Sequence, residues 1–448
     1  MRRHPLWLPP RPLSRAALLP VAMILSVWAE RGTAEAAADV VVYAGEALLV
    51  PGSPPRRNVA ITISGERIAA IGPVPAARAA LRDDGVAVID LSCCFVLPGL
   101  IDTQTHLNTQ PGLPSRLERL VHWTDADYTV LAIGNARRTL EAGFTTVRNM
   151  GSPGRSILAL RDAIDEQRIP GPRLQVAGDI VRPTGGELRG WLRDEAETAF
   201  ASSAICDGAA DCRRAVRAQV ARGSDTIKVM TTGDLGPDSR SQFNLDELIA
   251  IREAAHRLGV RVTASAFSTD SINLALAAGF DAVVHGTFAD DETFERLGDG
   301  SAYFIPTLVA ARTVKEMAEN PDLALSDEWR DENLAIYHGM VASFRQALAA
   351  GVRIAFGTDA GWRAHGGNAE QLTQMTELGM SAEAAIVAAT VNAADAIGWS
   401  NDVGSLAVGK YADLVATDGD PLRDIDELRQ PVFVMKGGRV VLRRPPAQ

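Results

Sequence analysis

The chain has 448 residues and a formal charge of −10, with 46% of its residues hydrophobic and 22% charged. That balance belongs to an ordinary globular protein and excludes a disordered or fibrous chain. The acidic surplus argues against nucleic acid or an anionic membrane as partner and leaves a small molecule as the expected ligand.

At the N-terminus, Arg2, Arg3, Arg11 and Arg15 precede an apolar run from Ala16 to Ala29, and Ala34-Glu35-Ala36 offers small residues for cleavage. This order reads as a signal peptide over residues 1–36, with a mature chain beginning near Ala37 and a periplasmic or secreted destination. An uncleaved anchor is the alternative, but a run of roughly 14 apolar residues falls short of the roughly 20 that span a bilayer. No second run of that length follows, so no integral membrane segment is expected after cleavage. Removal of residues 1–36 takes away five Arg and two Glu and moves the formal charge to −13. Composition leaves a homo-oligomer open.

Val40–Tyr43 and Val59–Ile63 read as strands, and the turn Ser64-Gly65-Glu66-Arg67 leads into Ile68–Ile71. The last fifty residues repeat this hairpin pattern with Ala412–Ala416, Val432–Met435, the turn Lys436-Gly437-Gly438 and Arg439–Val441. Neither end can bury a sheet alone, which predicts one small β-sandwich built from residues 37–96 and 400–448. Cys93 and Cys94 are adjacent on a predicted strand, so they point to opposite faces and read as packing residues.

Between the ends, residues 97–399 alternate short apolar runs with amphipathic stretches such as Asp125–Ala142, Leu245–Leu258 and Asn333–Ala349. Eight runs can be counted: Phe95–Leu100, Thr145–Met150, Arg173–Ala177, Thr226–Met230, Arg261–Ala266, Ala282–His285, Tyr303–Leu308 and Arg353–Phe356. The fold class is therefore α/β, a (β/α)8 TIM barrel inserted in the small sandwich. A doubly wound open sheet is the alternative, but no Gly-rich dinucleotide fingerprint follows the first strand. Export makes disulfides available, and Cys206 and Cys212 bracket the turn-rich Asp-Gly-Ala-Ala-Asp. A bridge between them is expected, with two free thiols as the alternative.

Chemistry in such a barrel sits at the C-terminal strand ends. The first strand runs Val96-Leu97-Pro98-Gly99-Leu100-Ile101-Asp102-Thr103-Gln104-Thr105-His106. It resembles the signature of the amidohydrolase superfamily, in which Pro-Gly-Leu-Ile-Asp leads into His-x-His and two residues spaced by two bind metal from one face. The family's first histidine falls on Gln104, and the second is His106. Gly223–Lys228 resembles the fourth strand, whose lysine is carboxylated and bridges two metals, a role that falls on Lys228. Its third histidine falls on Ser265 and its fourth on His285. Ala355-Phe356-Gly357-Thr358-Asp359-Ala360 matches the segment whose aspartate binds metal and shuttles the proton of the attacking water, which makes Asp359 the firmest catalytic candidate.

The resemblance extends through Glu141–Arg148, Pro183–Gly186, His365–Asn368, Ala388–Ala394 and Gly404–Leu414, almost all of the mature chain. The nearest similarity is to the exported or membrane-associated group that hydrolyses Xaa-Pro, Xaa-Arg and related N-acyl amino acid bonds, close to imidazolonepropionase-like proteins. There Thr-Gly-Gly is usually followed by histidine, and here by Glu187. Glu187, Arg148 and His365 are candidate substrate-binding residues. With two ligand histidines replaced, His106, Lys228, His285 and Asp359 remain as strong ligands, with Lys228, His285 and Asp359 as the catalytic set. That is enough for one divalent ion, zinc by its ligand chemistry, or for none. The resemblance implies hydrolysis of a C–N bond in an N-acyl amino acid or dipeptide. A ligand-binding pseudoenzyme and a metal-independent enzyme in which Asp359, His285 and Glu187 do acid–base work are the alternatives.

Overall fold

The computed structural model describes residues 40–74, 86–186, 202–233 and 235–445, so the expected signal peptide and Glu187 lie outside the described residues. The first four strands are β1 (Val40–Ala47), β2 (Arg56–Ser64), β3 (Arg67–Pro73) and β4 (Ala87–Pro98). In β2, Val59, Ile61 and Ile63 alternate along one buried face, and Gly65 takes the left-handed conformation that turns the chain into β3.

β5 (Leu100–Thr105), β6 (Phe144–Asn149) and β7 (Arg173–Val176) form a parallel three-stranded sheet. β8 (Thr226–Met230), β9 (Arg261–Ala266), β10 (Ala282–His285) and β11 (Tyr303–Ile305) form a parallel four-stranded sheet. Parallel bridges join Val181 to Val229, Phe304 to Ile354 and Thr105 to Ala360. The resulting architecture is a TIM-barrel-like α/β fold. Helices intervene at the expected places: Asp125–Glu141, Leu245–Arg257 and Asp327–Ala350, the last starting on a Ser326 cap and ending at Gly351 with φ 67°.

The chain closes with β12 (Leu414–Thr417), β13 (Phe433–Lys436) and β14 (Arg439–Arg443). The two ends of the chain contribute to one seven-stranded mixed sheet in the order β14-β13-β12-β4-β1-β2-β3, where the hairpin patterns predict a sandwich. One strand makes this arrangement: β4 is twelve residues long and pairs with β1 on one edge and β12 on the other. Val42, Ile61 and Ile63 share a core with Val96, Leu414 and Phe433.

Two expectations need correction. Phe95–Leu100 is not one barrel strand. Its first four residues belong to β4, and the break falls at Gly99, where any Cβ would stand 2.0 Å from the Thr145 hydroxyl oxygen. The eighth run, Arg353–Phe356, is not a strand but an extended segment with an isolated bridge at Ile354. It still bonds both neighbours, through Phe304 N–H to Arg353 O and Thr103 N–H to Phe356 O.

Cys93 and Cys94 depart from simple alternation as well. Between the pairs Ala44–Leu91 and Glu46–Phe95 the register slips, and Gly45 lies against the Ser92 carbonyl where a Cβ has no room. Cys93 is exposed and Cys94 buried, yet their sulfurs lie 2.8 Å apart. Cys206 and Cys212 form a disulfide with Cα atoms 4.9 Å apart. No helix among the described residues is long and apolar enough to cross a membrane.

Candidate active site

β5 carries the first residues of the site. Period-two alternation sets Asp102, Gln104 and His106 on one face, and the backbones of Gln104 and His106 are tied to the segment that holds Asp359. Asp359 N–H donates to Gln104 O (2.8 Å), and His106 N–H donates to Ala360 O (2.8 Å). Asp102 completes the clasp from beneath. Its buried carboxylate accepts from Thr358 Oγ1 (2.6 Å), Thr358 N (3.1 Å), Asn368 Nδ2 (2.8 Å) and Gln104 N (3.1 Å). Burial raises the Asp102 pKa to about 6, against the pull of those bonds.

The clasp sets three polar groups in contact. Gln104 Nε2 donates to Asp359 Oδ1 at 3.0 Å, His106 Nε2 lies 3.3 Å from the same oxygen, and Gln104 Nε2 and His106 Nε2 are 3.4 Å apart. Burial raises the Asp359 pKa, but the hydrogen bond to His106 and the charges of His106, His285 and Lys228 outweigh it and hold the carboxyl below its usual range. Asp359 therefore stands ionised at neutral pH, the form that accepts a proton. Its φ of 58° and the 68° of His285 are two of the four positive values among described non-glycine residues, and such strain gathers at functional sites.

The other half of the site comes from β8, β9 and β10. Lys228, Ser265 and His285 are all buried. His285 has a hydroxyl partner on each ring nitrogen, Thr307 Oγ1 at 2.8 Å from Nδ1 and Ser265 Oγ at 3.0 Å from Nε2, and its ring stacks on Phe267 with centroids 4.3 Å apart. Burial, helped by the charges of Lys228 and His106, pushes its pKa down to about 4, so the imidazole is neutral at pH 7. As a metal ligand through Nε2, His285 would exchange its contact with Ser265 for the ion.

Two expected substrate contacts lie elsewhere. Arg148 is fully buried in the fold, donating through Nε to Thr103 O (2.7 Å) and through Nη1 to Thr263 Oγ1 (3.1 Å). It ties β6 to β5 and β9, and burial lowers its pKa to about 9. His365 braces the loop after β5. Nε2 donates to the carbonyls of His106 (3.2 Å) and Thr109 (3.0 Å), which accept only, so Nδ1 is left to accept from Thr139 Oγ1. Sequence reasoning missed Thr307 and the support role of Asp102 and Asn368. A carboxylate inside Leu100-Ile101-Asp102 was the available signal, since a buried charge needs partners.

Among the described residues no three His, Cys, Asp or Glu side chains gather as a metal site. His106 and Asp359 provide two such donors, and the third group beside them is the Gln104 amide. Ligands about 2.05 Å from a tetrahedral ion stand roughly 3.3 Å from one another, which matches the observed separations. The spacing of Gln104, His106 and Asp359 therefore fits the ligand face of a divalent ion. A cleft of about 1200 Å³ opens at the opposite ends of the strands, around Arg173 and Asp225. Its Arg161 is paired with Asp162 and Asp225 and its Arg173 with Asp413, and none of the candidate residues lines it.

The amidohydrolase family model matches residues 95–441. Ochratoxinase of Aspergillus niger is 31% identical over 440 residues, covering 89% of this chain and 86% of that one. Its crystal structure superposes with a TM-score of 0.79 at 26% identity, over 91% of this chain and 96% of that one. A Xaa-Pro dipeptidase solved with methionine in its active site superposes with a TM-score of 0.80 at 30% identity, over 90% and 99%. The chain belongs to the amidohydrolase family and is a hydrolase of carbon–nitrogen bonds.

Proposed function

We propose that the protein cleaves the amide or peptide-like bond of a small substrate, an N-acyl amino acid or dipeptide, at a site that holds one divalent ion rather than two. The observation that carries this reading is the contact of Asp359 with His106 and Gln104 at the C-terminal strand ends, at 3.3 Å and 3.0 Å from one carboxylate oxygen. His106 and Asp359 would hold the ion, with Lys228, carboxylated or as an ammonium, beside it. When bound, such an ion polarises the scissile carbonyl and makes its water more acidic.

The chain's own residues do the rest. Asp359 accepts the proton of the attacking water and returns it to the leaving nitrogen. Its carboxylate is held for this by Asp102, which fixes Thr358 and through it the backbone of the segment. Neutral His285, with Thr307 and Ser265 on its two ring nitrogens, stands at the same end of the fold without adding charge.

The proposal includes closure of the strands into a complete (β/α)8 barrel, supported by the bridges at Val181, Ile354 and Ala360, and export of the chain, supported by the Cys206–Cys212 bridge. N-terminal sequencing of periplasmic or secreted material should begin near Ala37, and recovery of intact Met1 from the cytosol would reject export. For activity, the test is turnover of a panel of Xaa-Pro dipeptides and N-acyl amino acids before and after chelation. Hydrolysis that disappears with chelator and returns with metal is expected.

A second reading is favoured by the Ser265–His285–Thr307 chain of hydrogen bonds, which can move protons without a metal. Turnover unaffected by exhaustive chelation would support it and reject the one-ion site. Binding without turnover across the panel would make the protein a ligand-binding relative.

A further inference from the structure

The one-ion reading leaves open which groups form the inner face of the site. Gln104 stands where the resemblance predicts a missing ligand, and an amide is ordinarily a weak substitute for imidazole. Two observations give it more to do. Its Oε1 is fully buried and has no hydrogen-bond partner among the described residues. Its other amide atom, Nε2, lies 3.0 Å from Asp359 Oδ1 and 3.4 Å from His106 Nε2, which are themselves 3.3 Å apart.

Those three separations describe a nearly equilateral triangle. A tetrahedral ion with ligands about 2.05 Å away needs a ligand triangle with edges of roughly 3.3 Å, so the face has the right size before any side chain moves. Only the chemistry of one corner is wrong, since an amide N–H is a donor. Turning the amide about its last torsion exchanges nitrogen and oxygen at nearly the same positions. The turn breaks no hydrogen bond at the Oε1 end, because that atom has none to lose. It does set the amide oxygen beside a carboxylate oxygen and an imidazole nitrogen, an arrangement that is repulsive unless a cation lies between them.

His285 does not compete for this place. Its Nε2 already meets Ser265 Oγ at 3.0 Å and its Nδ1 meets Thr307 Oγ1 at 2.8 Å, so the donors free to converge are on the β5 side. We infer that Gln104 is a metal ligand: its amide turns to present Oε1, and Gln104, His106 and Asp359 form the three-donor face of a mononuclear site for a divalent ion of the Zn or Co type. One nitrogen and two oxygens suit such borderline ions. The fourth position falls to water or to Lys228. Loss of the first-strand histidine has then changed a ligand rather than removed one.

This inference rests on the one-ion reading, and Co²⁺ titration of the metal-free mature chain separates the two. Binding is followed by calorimetry and by the visible spectrum of the bound ion. Wild type should take up about one Co²⁺ with the intense absorption of a low-coordinate site. Gln104→Leu should bind at least about tenfold more weakly, because even partners outside the ligand shell are worth that much, and its spectrum should change. Gln104→Glu should bind more tightly than wild type, while its metal-free form melts lower because two carboxylates then face each other. Thermal melts of the metal-free variants show whether each one folds, and Gln104→Glu keeps the shape of the site if Gln104→Leu does not fold. Equal affinity and identical spectra in all three proteins would overturn the assignment of Gln104 while leaving the one-ion site standing. Absence of Co²⁺ uptake by wild type would overturn both.

Discussion

Asp359 concentrates the chemistry at the residue scale. Asp359→Asn keeps the volume and one acceptor but removes the charge and the ability to take a proton. The expected outcome is a loss of at least about 100-fold in kcat, the lower end of the contribution of a general acid–base group, with an unchanged circular dichroism spectrum. Undiminished turnover would reject its role. His365 yields a pH prediction. Burial holds its pKa near 4 in the fold, against about 6.5 in the unfolded chain. Its neutral form is therefore part of the folded state, and the stability it contributes is full above pH 6.5 and lost as pH falls towards 4. At about 1.4 kcal/mol per pKa unit the loss is on the order of 3 kcal/mol. His285 is depressed by burial in the same direction. Urea unfolding at pH 7 and pH 4.5 should show a smaller fall for His365→Gln than for wild type, and equal falls in the two would contradict the account.

Elements place these residues, and Gly99 is the joint that matters most. It separates β4, which belongs to the terminal sheet, from β5, which carries Gln104 and His106. With Thr145 side-chain atoms 2.0 to 2.9 Å from the position of any added Cβ, Gly99→Ala should destabilise by about 1–3 kcal/mol. Thr145→Ala in the same chain should recover part of that loss, and strict additivity of the two changes would argue against this clash. The site was legible in the sequence where chemistry and spacing coincide. Gln104-Thr105-His106 and Gly357-Thr358-Asp359 stand beside small or turn-forming residues that mark strand ends, and the structure brings Gln104, His106 and Asp359 into contact. Less was legible where a partner comes from far along the chain. Thr307 reaches His285 across 22 residues and Asn368 reaches Asp102 across 266, and neither has a local pattern that announces it. Arg148 was hard to place for the same reason: its bonds to Thr103 on β5 and Thr263 on β9 come from 45 and 115 residues away.

At the scale of the molecule, both ends of the chain are needed to complete one sheet, and β4 serves that sheet before passing directly into the site. The Cys206–Cys212 bridge is a short staple by comparison. With a sequence separation of 6, loop closure predicts a stabilisation of about 2 kcal/mol. Reduction should lower the unfolding free energy measured by urea by that amount, and no change would mean that the surrounding contacts already fix the loop. The central claim concerns metal. The proposal holds that one ion suffices, with Gln104 and Ser265 at ligand positions, where the resemblance implies two. Elemental analysis of the purified mature chain, read beside its turnover of dipeptide and acyl-amino acid substrates, tests this most directly. The account predicts about one zinc-like divalent ion per chain, with turnover in proportion to occupancy. Two tightly held ions per chain, or full turnover with none, would contradict it.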